Sequence, residues 1–424
     1  MPVLGINTHS PIRDIYLQTS QTWTAPYSGQ AIITCIGGGG QGACANKEND
    51  SFNPFGHATG GGAGGCAQSI VDLVGGTGYT VTVGAAGRNA SLNVTTSSSG
   101  SDGTAGGNTS FAGTGITTLT GNGGSGGVKT TYNYAQYTTA GGAGGSASGG
   151  NIFNATGGAG GSVAITVSSG SIIGAVTTGG GAVGLGGKTG GRGGNVAITS
   201  SGSSAKIVFA SGGGGAGQRG GDITSTGITG DQFGASAGGG ATETADPPDQ
   251  PTGSGYETAA QTFGAENSLK YYFTAPKDAH DMQSSQQGYI TSYPADGVFI
   301  YGGITSSSVQ FTKSFLSTDN GYAGYGAHDG NGNIGGGNGY GHNGGGGFAN
   351  NAGSYYIRAG HSYGCGGGGG ASVGTNSESG TSYNGRSRFG GGSGGIVCDS
   401  NAVASIKWLG GGNGLVVIEY ISIE

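Results

Sequence analysis

The apolar run Ala31-Ile32-Ile33-Thr34-Cys35-Ile36 reads as a strand and leads directly into Gly37-Gly38-Gly39-Gly40-Gln41-Gly42, a stretch that no ordinary strand or helix contains. The chain loops out and returns through Gly60-Gly61-Gly62-Ala63-Gly64-Gly65 into two more strand-like segments, 67–74 and 78–84, which are broken by Gly75-Gly76-Thr77-Gly78. A sheet therefore holds the glycine segment at its base. Glycine fills 106 of the 424 positions, and each glycine loses more backbone freedom on folding than any other residue. Either such tracts stay disordered, or they pack backbone against backbone where only a hydrogen fits. Strand-like segments punctuate the tracts from end to end, which favours packing. An extended glycine segment adopts the polyproline-II-like helix, with three residues per turn and about 3.1 Å rise per residue, and neighbouring segments can satisfy each other's N–H and C=O groups. The expected fold is all-β: a β-sandwich-like base with glycine-rich loops packed as polyglycine II helices, and essentially no α-helix.

Taken in order, residues 1–14 read as an attachment segment and 15–255 as a glycine-rich β domain. From Gly157 the pattern Gly-Gly-Ala-Gly-Gly-Ser162-Val163-Ala164-Ile165-Thr166 recurs 33 residues later as Gly-Gly-Arg-Gly-Gly-Asn195-Val196-Ala197-Ile198-Thr199, with a weaker copy at Gly220-Gly221-Asp222-Ile223-Thr224. Alternation of glycine runs with β-branched strands implies a layered stack, while unequal spacings argue against a continuous β-solenoid. Residues 256–320, poor in glycine, read as a conventionally packed insertion. Residues 321–424 return to glycine with interleaved tyrosines, and the run 414–421 closes the base.

Charged residues are 8% of the chain and the net charge is −6, so no basic stripe exists to neutralise phosphates and nucleic acid is not an expected partner. No eighteen-residue apolar run and no signal-peptide pattern occur, so membrane insertion is not expected. The five cysteines read as small buried hydrophobes, with a Cys44 to Cys66 disulfide as the alternative; no metal or other cofactor is expected.

With glycine this frequent, a three-glycine motif matches by chance roughly six times. Gly123-Gly124-Ser125-Gly126-Gly127 and Gly391-Gly392-Ser393-Gly394-Gly395 both satisfy the hydrolase pattern GxSxG, but neither lies between a strong strand and a helix. Gly187-Lys188-Thr189 imitates the end of a phosphate loop, with Ala182 where its first glycine belongs. Asp329-Gly330-Asn331-Gly332-Asn333 alternates oxygens like a calcium loop, but Tyr340 replaces the closing carboxylate. The acidic residues are scattered, so the expectation is a protein without catalysis.

The more informative constellation is aromatic: Tyr322, Tyr325, Tyr340, Phe348, Tyr355, Tyr356 and Tyr363 with His328 and His342. Rings on tight glycine turns present a flat apolar face and a hydrogen-bonding edge at low entropy cost. They read in part as receptor-binding residues and in part as internal packing over glycine backbones.

The blocks Thr22-Trp23-Thr24-Ala25-Pro26, Ile36 with four glycines, Tyr79-Thr80-Val81-Thr82-Val83-Gly84, Cys365 with five glycines, and Gly410 to Tyr420 resemble, in their order, the glycine-rich domains of bacteriophage tail-fibre and receptor-binding adhesin proteins. That resemblance implies a virion fibre or tail-tip protein that binds a host surface glycan or outer-membrane protein. It further implies contact with other virion proteins through the N-terminal segment, and a homotrimer. The alternative is a structural or ice-binding extracellular polyglycine protein, for which the irregular tract lengths do not promise a flat face.

Overall fold

The computed structural model describes residues 15–47, 55–88, 100–131, 136–168, 172–184, 186–200, 205–216, 219–228, 232–236, 238, 250–251, 299–301, 309–311, 327–329, 344–350, 356–362, 365–373, 381–399 and 405–421. Among them there is no helix other than the extended glycine kind.

The base is a sandwich of two antiparallel sheets. One has the order Ile15–Leu17, Leu415–Tyr420, Gly29–Ile36, Cys66–Leu73, Phe153–Ala155; the other has the order Ala147–Ser148, Leu119–Gly121, Thr109–Ala112, Gly78–Thr82, Gln21–Thr24. Alternation along each strand sends Ala31, Ile33 and Cys35, with Val71, Leu73, Val416 and Ile418, into a core shared with Trp23, Tyr79 and Phe111. Tyr79 and Phe111 stack at 5.3 Å, and Trp23 tilts over both at about 6 Å. The expected strands 30–36, 67–74, 78–84 and 414–421 thus appear within two residues of their expected bounds.

The glycine tracts leave the base side by side. In tract 37–43, Gly37, Gly40 and Ala43 donate to Gly65, Gly62 and Thr59 at 2.9, 2.8 and 2.9 Å, while Gly38 and Gln41 donate to Gly107 and Thr104 at 2.9 Å and Gly39 to Gly412 at 2.8 Å. Its carbonyls accept in turn: Gly38 from Gly124, Gly39 from Gly87, Gly40 from Ser393 and Gln41 from Gly127. The partner changes at each residue and recurs at every third, which is the three-residue turn of a polyglycine II helix. Tract 37–43 is therefore ringed by six others, 59–65, 84–88, 102–107, 122–128, 390–395 and 409–414. Tract 59–65 is ringed in the same way by 37–43, 122–128, 140–146, 156–162, 178–184 and 390–395.

This hexagonal packing explains the composition. A Cβ on Gly38, Gly62 or Gly368 would overlap a backbone carbonyl of Ala85, Ala143 or Gly385 respectively, so the lattice admits no side chain there. Several side chains that do enter are hydroxyls tied into the lattice. Thr178 Oγ1 accepts from Gly60 N and donates to Gly161 O; Ser211 Oγ repeats the arrangement with Gly179 N and Gly194 O.

At its other end the bundle passes into four further stacked layers, the first of which contains the internal repeat. The first layer holds Gln136–Thr139, Val163–Val167, Val196–Ser200, Ile223–Ile228 and Gln250–Pro251; the second holds Lys129–Thr131, Phe55–Ala58, Ile172–Thr177, Ala205–Ala210 and Gln232–Ala235. The third holds Ala327–Asp329, Phe348–Asn350, Ala371–Val373, Ile396–Asp399, Cys44–Lys47 and Gly100–Ser101, and the fourth Tyr356–Arg358, Thr381–Tyr383 and Ser405–Lys407. Neighbours are mostly parallel, because each repeat climbs through one layer and descends through the next before returning in the same direction.

The internal repeat is such a stack: Val163 pairs with Val196, and Val196 with Ile223, in parallel register. The unequal spacings that argued against a continuous solenoid still allow a parallel ladder, which is regular from Val163 to Val196 and carries a register shift after Thr199 where it pairs with Ile223–Ile228. Valine, isoleucine and phenylalanine fill the seam between the first and second layers, while Ala45, Ala58, Ala175, Ala210 and Ala349 line the seam between the second and third.

Candidate receptor-binding end

The first and last described strands, Ile15–Leu17 and Leu415–Tyr420, pair with each other in the base. The far end of the bundle is therefore the end remote from both, and the described strands there belong to every climbing and descending repeat. Its interior is closed by buried side chains. Val176, Ile207 and Phe209 meet Val163, Ile165 and Ile198 across the first seam. Thr177 Oγ1 and Ser372 Oγ lie 2.7 Å apart across the second, and Ser372 Oγ donates to Phe209 O at 2.6 Å. Its polar aromatic feature is His57, stacked on Tyr137 at 4.7 Å with the rings 8° from parallel. Burial pushes the His57 imidazole down to about 4 and the Tyr137 phenol above its ordinary range.

Of the aromatic constellation, Phe348 is fully buried at the start of its third-layer strand, so it belongs to the internal packing and not to a surface contact. His328 lies on the neighbouring strand Ala327–Asp329 and Tyr356 on the fourth-layer strand Tyr356–Arg358, which places both backbones at the far end. Tyr322, Tyr325, Tyr340, His342, Tyr355 and Tyr363 lie outside the described residues.

The motif matches resolve into structure. Ser393 is buried, its Oγ accepting from Gly42 N at 2.8 Å and donating to Leu409 O at 2.9 Å, so the hydroxyl is committed to the lattice. Ser125 belongs to tract 122–128, where its N–H donates to Ala143 O at 2.8 Å. Gly187-Lys188-Thr189 forms the turn between tracts 178–184 and 189–195, with Gly186 and Gly187 at φ 60° and 83° and no helix following. The calcium-like loop lies outside the described residues beyond Asp329. Cys35, Cys44, Cys66 and Cys365 are free and buried, so Cys44 and Cys66 form no disulfide. Burial pushes the Cys44 and Cys365 thiols up to about 12 and raises those of Cys35 and Cys66 well above the ordinary thiol range. Among the described residues no group of histidine, cysteine and carboxylate side chains is placed to hold a metal ion.

Sequence reasoning missed Trp408, which is buried with its Nε1 donating to Gly42 O at 2.7 Å, and Asn384, whose amide accepts from Leu409 N and donates to Gly394 O, both at 2.6 Å. A lone Trp or Asn beside a glycine run carries no periodic signal, so only the fold shows that these side chains brace the bundle.

Residues 17–148 match the family model of the glycine-rich domain. The match covers the base sandwich, apart from its closing strands, together with the tracts from 37–43 to 140–146. It takes in the far-layer strands Cys44–Lys47, Phe55–Ala58, Gly100–Ser101, Lys129–Thr131 and Gln136–Thr139, and ends before the repeats that supply the remaining far strands. No curated protein matches the chain.

Proposed function

We propose that this protein is a bacteriophage fibre or tail-tip adhesin whose glycine bundle is a stiff spacer between an attached base and a host-binding far end. The observation that carries the reading is polarity: the first and last described strands pair in the base, and hexagonally packed tracts carry the rest of the chain to the opposite end. Backbone hydrogen bonds in every lateral direction make such a spacer rigid without large side chains. The resemblance in block order to tail-fibre domains supplies the class of partner, a host surface glycan or outer-membrane protein. The aromatic residues adjacent in sequence to the far-end strands Ala327–Asp329 and Tyr356–Arg358 are the contacts this reading assigns. The test is adsorption to susceptible cells by Tyr325→Ala, Tyr340→Ala and Tyr355→Ala, each first shown to melt like wild type. Loss of one anchor ring typically costs 2 kcal/mol or more, roughly thirtyfold in affinity. Normal adsorption by all three refutes the assignment of these rings.

A second reading draws on the outer face of the first layer. Thr138, Ala164, Thr166, Ala197, Thr199 and Thr224 alternate with the buried core residues on paired strands, a face of small residues that the irregular tract lengths did not promise. Strands in such a ladder stand ~4.8 Å apart. This face favours an ice-binding role, and measurable thermal hysteresis lost in Thr199→Tyr would establish it over adhesion.

A further inference from the structure

We propose that the bundle and its far layers are built of matched rungs, each joining one unit from the middle of the chain to one from its last third. Such a pair of units can leave together while the remaining chain closes on the same lattice. In the first two layers, Val163–Val167 and Ile172–Thr177 pair each residue with the one 33 positions further on. Side chains where the tracts meet these layers repeat with the strands. Ser162 N donates to Asn195 Oδ1, and Asn195 N donates to Asp222 Oδ1 in turn. Thr178 Oγ1 accepts from Gly60 N and donates to Gly161 O; Ser211 Oγ does the same with Gly179 N and Gly194 O, and Ser236 Oγ with Gly212 N and Gly221 O. Each of these side chains binds the backbone of the unit before it, and serine and threonine serve alike.

The glycine tracts match these units one for one with units from the last third of the chain. Gly61 N donates to Ser393 O, Ser393 N to Gly40 O, and Gly40 N back to the first tract at Gly62 O. Gly180, Gly368 and Gly392 repeat that cycle, donating to Gly368 O, Gly392 O and Gly181 O. Gly213, Gly345 and Gly367 repeat it again, donating to Gly345 O, Gly367 O and Gly214 O. Tracts 59–65, 178–184 and 211–216 therefore hold equivalent places, as do tracts 390–395, 365–370 and 344–347. Phe348 pairs with Ala371 in the third layer, which makes the unit on that side 23 residues long.

Removal of residues 163–195 takes one strand from each of the first two layers, together with tracts 178–184 and 189–195. Gly60 N then meets Ser211 Oγ, and Ser162 N meets Asp222 Oδ1 as Asn195 N does in the full chain. Removal of residues 348–370 takes the partner tract 365–370, and the surviving cycle runs from Gly213 to Gly345, Gly392 and Gly214. Either removal alone leaves a tract whose buried donors lose their matching acceptors, which is costly. The number of matched rungs thus sets the breadth of the far end while the base stays the same.

The experiment compares the full chain with deletion of residues 163–195, deletion of residues 348–370, and both together. The paired deletion is expected to melt above either single deletion. It should also show hydrogen-bond scalar couplings from Gly345 N to the Gly392 carbonyl carbon and from Gly392 N to that of Gly214; in the full chain these amides are bonded to Gly367 and Gly181. A paired deletion that melts below both single ones, fails to fold or lacks the two new couplings overturns the proposal. Substitution at one rung of the intact chain decides independently. Ser211→Thr should leave exchange of the Gly179 amide unchanged, because threonine fills the equivalent place at Thr178, whereas Ser211→Ala should speed it by about tenfold or more. Equal acceleration by both variants, or acceleration by neither, overturns the equivalence of the rungs and the proposal with it.

Discussion

Gly62→Ala adds one methyl to the interior of the bundle. The new Cβ would lie 2.0 Å from Ala143 O, 2.4 Å from Ala143 C and 2.7 Å from Gly142 O, all of them backbone atoms with no rotamer to change. Ordinary non-bonded separation is about 3.5 Å, so tracts 59–65 and 140–146 must part by more than 1 Å. The bonds joining them are Gly142 N to Gly60 O at 2.9 Å and Gly145 N to Ala63 O at 2.8 Å, and neither survives that shift. Breaking two such bonds, with part of the buried desolvation unrepaid, costs about 3–5 kcal/mol; the lower unfolded-chain entropy of alanine returns about 0.4–1 kcal/mol. The net loss is about 3 kcal/mol. At an unfolding entropy of about 2.1 cal/mol/K per residue, that lowers the melting temperature of a chain this long by about 3 °C. Gly115→Ala is the control: its φ is 81° and nothing lies within 4 Å of the added methyl, so only backbone strain of about 1–2 kcal/mol applies. Differential scanning calorimetry or urea unfolding reads both. Should Gly62→Ala melt at or above wild type, the tracts are loose loops and the lattice argument fails.

Ser393→Ala removes a hydroxyl that serves both Gly42 N and Leu409 O, and should destabilise by about 1–3 kcal/mol in urea unfolding. Trp408→Phe keeps an aromatic ring but gives up part of the indole volume and removes the donor to Gly42 O, and a loss of about 1–3 kcal/mol is expected in the same assay. The raised thiols of Cys35, Cys44, Cys66 and Cys365 should not react with an aromatic disulfide reagent at pH 8 until the protein is unfolded. Because their folded pKa values lie above the ordinary 9.0, the stability they contribute is intact below pH 9 and declines above it, so melting temperature should fall from pH 9 upward.

Much of the base could be read from the sequence: Ala31, Ile33 and Cys35 recur with period two, and Leu415 to Ile418 is the continuous apolar run of a strand buried on both faces. The polyglycine packing was legible for a different reason, since glycine at such density has no other economical use once strands bracket it. The far layers were harder to read. Ala371–Val373 and Thr381–Tyr383 are three residues each and carry too few apolar positions to register as strands. Their stability comes from parallel stacking on neighbours distant in sequence, as when Ile396 pairs with Cys44. Phe348 could not be separated from its neighbouring aromatics by composition, because whether a ring beside glycines faces in or out depends on the layer stacked above it. His57 gave no signal, its partners Tyr137 and Thr139 lying about eighty residues away in sequence.

Hydrogen-bond scalar couplings in a deuterated, isotopically labelled sample test the central claim most directly, because they report donor and acceptor as a pair. The lattice predicts couplings from the amide nitrogens of Gly37, Gly40 and Ala43 to the carbonyl carbons of Gly65, Gly62 and Thr59. The intervening Gly38 and Gln41 should couple to Gly107 and Thr104. Absence of these couplings while those between Gly29–Ile36 and Cys66–Leu73 are observed would contradict a packed glycine bundle and leave the tracts as flexible connections between two β-ends.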